Sequence, residues 1–225
     1  MKQFLSIAPH TSYQDTGPQS TIASRWILLF EEKERGVIGY VDSDSILICA
    51  AGRFELKRGM YFAACGPVKL AGGSGLCLVC ADYRPQFSVG GPVESSGRLR
   101  YIDGCTDSLL IPPVKMGDPC LNALFFPPGI MQTQHTHPSV RLGLIVSGRG
   151  TCLTPAGNIP LVPEMCFVIE TDAVHHFSTP TDSGMVVIAY HPDSDFGPQD
   201  QNHPMINRTI VGGVSAALID TIRTK

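Results

Sequence analysis

Three histidines carry the chemistry open to this chain. His135 and His137 stand one residue apart in the segment GIMQTQHTHPSVRLGLIVSG, and His175 follows about forty residues later in AVHHF. On an extended backbone successive side chains alternate between faces, so His135 and His137 point the same way and their ring nitrogens can reach a common ion. Three neutral imidazoles on one side of an ion leave positions open opposite for water, dioxygen or substrate. Such a set suits Fe(II), and also Zn, Ni, Cu or Mn.

Strands must hold these rings in place. Upstream, LNALFFPPG is an apolar run closed by two prolines and a glycine; downstream, RLGLIVSGRG is an apolar strand ended by a Ser-Gly-Arg-Gly turn. The spacing predicts that the histidines sit near a strand end beside a hairpin. After His175, MVVIAYH reads as one more alternating strand, with His191 at its end.

Gly129, His135, His137, position 141 and Gly148 resemble, in type and spacing, the first motif of the cupin superfamily, G-x5-H-x-H-x3-E-x6-G. The one departure is Arg141, where the motif has Glu. The second motif, G-x5-P-x-G-x2-H-x3-N, lies without gaps on LVPEMCFVIETDAVHHFST and places its histidine on His175. Glu164, Glu170, Asp172 and Thr179 replace its first glycine, proline, second glycine and asparagine.

The resemblance implies an all-β, jelly-roll-like cupin barrel with a metal held inside by His135, His137 and His175. Iron is favoured because three-histidine cupins resemble thiol and diketone dioxygenases. Barrel alternation then turns Arg141, Gly143, Ile145 and Phe177 inward with the histidines and His176 outward, where it becomes a ligand only if the strand slips by one residue. Gln132 faces the pocket and Gln134 does not.

Arg141 has no acceptor atom and cannot replace the missing carboxylate as a ligand. Two readings stay open. Facing the cavity it anchors an anionic substrate; turned away it pairs with Glu164, Glu170 or Asp172. The candidate general acid or base is a metal-bound water, Tyr190 or His191. The expected substrate contacts are Gln132, Arg141, Ile145, Phe177 and His191.

The first half repeats part of this pattern without its chemistry. Leu56 and Gly59 are spaced like Leu161 and Glu164, Leu70 falls where the second half has His175, and His10 is the only histidine before residue 99. FSVGGPVESSGR, residues 87–98, is linker-like. The expectation is two tandem barrels, 1–98 degenerate and 99–225 metal-binding, with a single barrel plus N-terminal extension as the alternative. VSAALIDTI predicts a short C-terminal helix.

Composition narrows the remaining classes. A net charge of -3 with no Lys/Arg cluster gives no footprint for nucleic acid. No apolar stretch is long enough for a signal peptide or a membrane span, so a soluble cytoplasmic protein is expected, with a homodimer as the family's habit. The eight cysteines lie scattered in apolar runs and read as buried free thiols; Cys77 and Cys80 form a lone C-x-x-C without partners. The leading functional expectation is a metal-dependent enzyme acting on a small anionic molecule, most simply a non-haem iron dioxygenase. A metal-dependent isomerase or lyase, or a non-catalytic binding cupin with a structural metal, are the alternatives.

Overall fold

The computed structural model describes residues 4–7, 12–14 and 21–224. Its first half runs β1 (Phe4–Ile7), β2 (Ser12–Gln14), β3 (Thr21–Glu32), β4 (Gly36–Ser43), β5 (Ser45–Cys49), β6 (Gly52–Leu56), β7 (Tyr61–Cys65), β8 (Val68–Cys80) and β9 (Ser88–Gly90). The second half runs β10 (Leu99–Arg100), β11 (Thr106–Ile111), β12 (Cys120–Phe126), β13 (Arg141–Gly148), β14 (Gly150–Thr154), β15 (Gly157–Leu161), β16 (Cys166–Ile169), β17 (His176–Ser178) and β18 (Met185–His191).

The first half forms one antiparallel sheet, β2-β3-β8-β4-β7-β9, with the β5-β6 hairpin attached to β8. The second half forms a larger sheet, β1-β16-β13-β18-β12-β11-β10, and a smaller one, β15-β14-β17. The strand β1 therefore leaves the N-terminal part of the chain and adds to the edge of the C-terminal sheet, pairing Phe4 with Ile169 and Ile7 with Cys166. The linker-like segment 87–98 is also held in place: β9 pairs with β7, and the N–H groups of Gly97 and Arg98 donate to Thr106 and Ser108.

Both faces of the two large sheets are covered, which explains why their strands read as near-continuous apolar runs. Ile38 and Tyr40 of β4 pack with Leu121, Leu142, Ile188 and Tyr190 in a layer shared by the two halves. On the opposite face Val37 and Val41 pack with Leu47, Phe62 and Leu70. Each fully buried side chain of this kind contributes about 1.5–3 kcal/mol.

The repeat suspected from spacing has a backbone counterpart. Leu56 and Leu161 end equivalent hairpins, opposite Ser45 and Gly150. In the turns that follow, the N–H of Gly59 donates to Val41 and that of Glu164 to Ile145, while the next residues, Met60 and Met165, accept from those same partners. Gly39 and Gly143 lie opposite Phe62 and Phe167, and in both strands a Cβ would overlap the ring. Past these turns the match by spacing slips by two residues: Leu70 lies opposite Leu47 as Phe177 lies opposite Cys152, so the buried Val68, which offers no ligand atom, takes the place of His175.

The two turns differ in one respect. Both central residues have left-handed backbone, φ 87 at Gly59 and φ 71 at Glu164, but only glycine adopts it without a Cβ penalty. The exposed Glu164 carboxylate compensates little, standing 3.7 Å from an Arg25 already paired with Asp42 at 2.9 Å. Glu164→Gly is expected to stabilise the protein by about 0.5–1 kcal/mol, the strain relieved less the chain entropy glycine adds, read as a higher urea midpoint at unchanged slope.

After β18 the chain forms α1 (Pro204–Arg208), capped by His203, and a two-stranded hairpin of β19 (Ile210–Val211) and β20 (Val214–Ser215). VSAALIDTI does not become a regular helix. Ser215 caps a single 3-10 turn at Ala216–Leu218, a second follows at Asp220–Ile222, and the helix lies earlier, where Pro204 occupies its first turn. No helix among the described residues is long and apolar enough to cross a membrane.

Candidate metal centre

The three histidines come together, but not on a regular strand. The segment carrying His135 and His137 precedes β13 and is held by isolated bridges, Met131 to Ser178 and His135 to His175. The Pro-rich approach and Pro138 interrupt any ladder there, yet the extended backbone preserves alternation. His135 and His175 exchange backbone hydrogen bonds of 3.0 and 3.1 Å, so their side chains share a face. Ring centroids lie 5.0, 4.6 and 5.1 Å apart, and one nitrogen from each ring falls within 4.8 Å of the others.

Backbone carbonyls orient two of the rings. Nδ1 of His135 lies 2.8 Å from the Thr133 carbonyl, and Nδ1 of His175 lies 2.9 Å from that of Ala173. A proton on Nδ1 is required for each bond, which leaves Nε2 bearing a lone pair. Burial pushes His137 down to about 3, with Arg141 and the neighbouring imidazoles acting the same way. Burial likewise brings His175 to about 4, against the Ala173 hydrogen bond that favours its charged form. Both rings are neutral at physiological pH and so able to act as ligands. The donor set fits a divalent transition metal, and among the described residues no carboxylate or thiol joins the cluster as a fourth ligand.

The cluster opens on a cavity of about 500 Å³, counted to its mouth, walled chiefly by Leu124, Phe126, Phe167, Ile169 and Phe177. Arg141 faces this cavity and does not pair with Glu164, Glu170 or Asp172. Its side chain is 11 % exposed; Nη1 donates to Ser139 and to the Val140 carbonyl, and Asp193 stands 4.0 Å away. The nearest carboxylate is thus too distant for a tight pair, and Nε is buried without a partner. A permanent cation faces the space beside the three imidazoles.

Of the other expected contacts, Gln132, Phe177 and His191 line the cavity. Gln132 is structural as well, its backbone N–H donating to the Phe177 carbonyl at 2.9 Å and its Oε1 accepting from the Phe177 N–H. His191 lies near Arg141, and burial, then Arg141 and His137, push it down to about 3. Gln134 is exposed, as alternation requires. His176 pairs with Leu153 and lies outside both the cluster and the cavity wall.

Two expectations fail. Tyr190 cannot act on a ligand in the cavity, because alternation along β18 turns it into the layer between the two halves, where its hydroxyl meets Thr21 at 3.1 Å and Cys80 at 3.3 Å. Ile145 lies beneath the cavity in the apolar floor with Phe126 and Phe167 and does not line it. Tyr101 and Asp107 do line the cavity and were not foreseen, since they come from a segment outside both motifs. The cysteines are free thiols, six of them buried. Cys77 and Cys80 belong to different packing layers, so the C-x-x-C does not converge.

No protein-family model matches the sequence, and no curated protein matches it. Solved structures do. A cupin 2 conserved barrel domain protein from Leptotrichia buccalis aligns over 85 % of this chain and 89 % of its own, with 9 % identity and a TM-score of 0.59. A variant of salicylate 1,2-dioxygenase from Pseudoaminobacter salicylatoxidans aligns over 80 % and 75 %, with 9 % identity and a TM-score of 0.53. Oxalate decarboxylase from Bacillus subtilis, described with Mn(II) centres, aligns over 88 % and 78 %, with 11 % identity and a TM-score of 0.50. Likeness at such identity is likeness of fold. The chain has an all-β fold of the cupin type and carries a three-histidine cluster in the cavity of its second half.

Proposed function

We propose that the protein is a metal-dependent cupin enzyme acting on a small anionic organic molecule, with non-haem iron dioxygenase chemistry as the reaction class. The observation that carries this reading is the pairing of an open three-imidazole cluster with the buried, underpaired Arg141 in one apolar cavity. The chain is read as two fused barrels, 1–98 and 99–225, of which only the second keeps ligands. The dioxygenase and the Mn(II) decarboxylase among its structural neighbours support metal chemistry on this fold without choosing the metal.

His135, His137 and His175 would hold the ion, and Fe(II) there would supply Lewis acidity and electron transfer toward dioxygen. The protein's own contribution is positional. Arg141 holds the anionic end of the substrate by charge-assisted hydrogen bonds; the Phe126, Phe167 and Phe177 rings exclude water; His191 offers a neutral hydrogen-bonding group beside the guanidinium. Tyr190 takes no part.

Elemental analysis of untagged protein, with oxygen uptake measured over a panel of small carboxylates, tests this reading. About one equivalent of iron, absent from the His135/His137/His175 triple alanine variant, with carboxylate-dependent uptake, is the expected result. Retention of stoichiometric metal by the triple variant overturns it; bound metal with carboxylate binding but no turnover of any kind would instead place the protein among non-catalytic binding cupins.

A further inference from the structure

Opposite the guanidinium, the cavity presents a second polar point that no metal or anion explains. Along β12, Leu121, Ala123 and Phe125 pack into the layer between the two halves, so Asn122, Leu124 and Phe126 face the other way, and of these Leu124 and Phe126 line the cavity. Asp107 of β11 stands opposite Leu124 in the ladder and lines the cavity. Nδ2 of Asn122 donates to Oδ2 of Asp107 at 2.6 Å. That bond leaves Oδ1 of Asp107 and Oδ1 of Asn122 buried with no hydrogen-bond partner.

Orphaned buried oxygen acceptors are costly beside an apolar wall unless something supplies donors. No cation among the described residues does so. Arg141 belongs to β13, separated from β11 by β18 and β12, a backbone distance of about 14 Å at ordinary strand spacing. Burial accordingly raises the pKa of Asp107, countered only by the Asn122 hydrogen bond. The cavity thus has a donor pole at Arg141, whose Nε is also unpartnered, and an acceptor pole at Asp107.

We propose that Asp107, held in place by Asn122, receives an amino or ammonium group of the substrate, so that the site selects small carboxylates bearing a nitrogen donor at the end remote from the carboxylate. This rests on the reading of Arg141 as the anion anchor. An ammonium group satisfies the Asp107 acceptor and its charge at once, whereas a methyl group leaves both unmet.

Isothermal titration of the metal-loaded full chain with matched pairs of equal heavy-atom count, β-alanine against butyrate and 4-aminobutyrate against valerate, tests it. The amino member of at least one pair is expected to bind about tenfold or more tighter, the scale of one hydrogen bond to a charged group. Asp107→Asn, which keeps the shape of the side chain, should erase that preference, the amino members losing about tenfold and butyrate or valerate losing none, since the charge a methyl group cannot meet is gone. Arg141→Ala should weaken both members alike. Equal binding of both members by the native protein, or a preference that survives Asp107→Asn, overturns the Asp107 assignment and leaves the anion anchor standing. Undiminished binding by Arg141→Ala overturns the anchor instead, and failure of every carboxylate to bind overturns both. Should Asp107→Asn not fold, the comparison of pairs on the native protein decides.

Discussion

Replacing His175 by alanine is expected to abolish metal-dependent stabilisation of the protein, whereas replacing its neighbour His176 leaves that stabilisation intact. A ligand that binds only the folded state raises its stability by about 2.7 kcal/mol at a concentration one hundred times its dissociation constant. For a chain of this size that corresponds to a rise in melting temperature of roughly 5–10 °C. His175 is 1 % exposed, its Nδ1 is engaged by the Ala173 carbonyl, and its other nitrogen meets those of His135 and His137. Deleting a ligand from a three-ligand site should weaken binding by more than about a hundredfold, beyond the effect of losing a group that merely supports a ligand. His176 sits one residue on and lies outside the cluster. Thermal melts with and without added divalent metal check the pair. The increment on adding metal is the quantity that matters, because removing a buried ring lowers the baseline by itself. A His175→Ala protein that keeps the full increment, or a His176→Ala protein that loses it, would place the ion elsewhere.

That contrast marks how far the sequence could be read. Spacing paired His135 with His137, because a period of two survives even where the ladder is broken and the carrying segment forms only isolated bridges, and the resemblance to the second cupin motif added His175. It also separated His175 from His176 and Gln132 from Gln134. Tyr190 and His191 stood together as candidates, although alternation lets only one of two adjacent residues face the cavity; the structure gives that place to His191, with Ala189 beside it on the same face of β18. Both faces of that strand are buried, one against the first half of the chain and one against the cavity, so hydrophobicity could not assign them. Ile145 has the right parity yet lies too deep. Asp107 and Tyr101 come from strands and turns that carry no motif, and β1 crosses to the far sheet through pairing that no local pattern encodes. Long-range register escaped the reading; short-range periodicity did not.

The largest expected change in ligand binding comes from Arg141→Glu, which installs the residue the first cupin motif would have there. In the native protein Arg141 is held by Ser139 and Val140, and Asp193 lies 4.0 Å off, so the guanidinium charge is incompletely neutralised within the cavity. Opposite unit charges 4 Å apart interact by about 4 kcal/mol at an effective dielectric constant near 20, and reversing one of them converts attraction to repulsion. Binding of small carboxylates to the metal-loaded protein should therefore fall at least about a hundredfold, while Arg141→Lys, which keeps the charge but not the planar fork, should lose only about tenfold. The metal should respond in the opposite direction, because removing a cation and adding a carboxylate beside three imidazoles favours a hard ion such as Mn(II). The reversed charge would also face Asp193, so the comparison is best made on Arg141→Glu combined with Asp193→Asn, which removes that repulsion. Calorimetric titration with a carboxylate and competitive metal titration measure the two effects separately. Loss of carboxylate affinity with tighter metal binding is the expected pair of results; carboxylate affinity unchanged by the reversal would remove Arg141 from the site and leave the three histidines without their proposed substrate anchor.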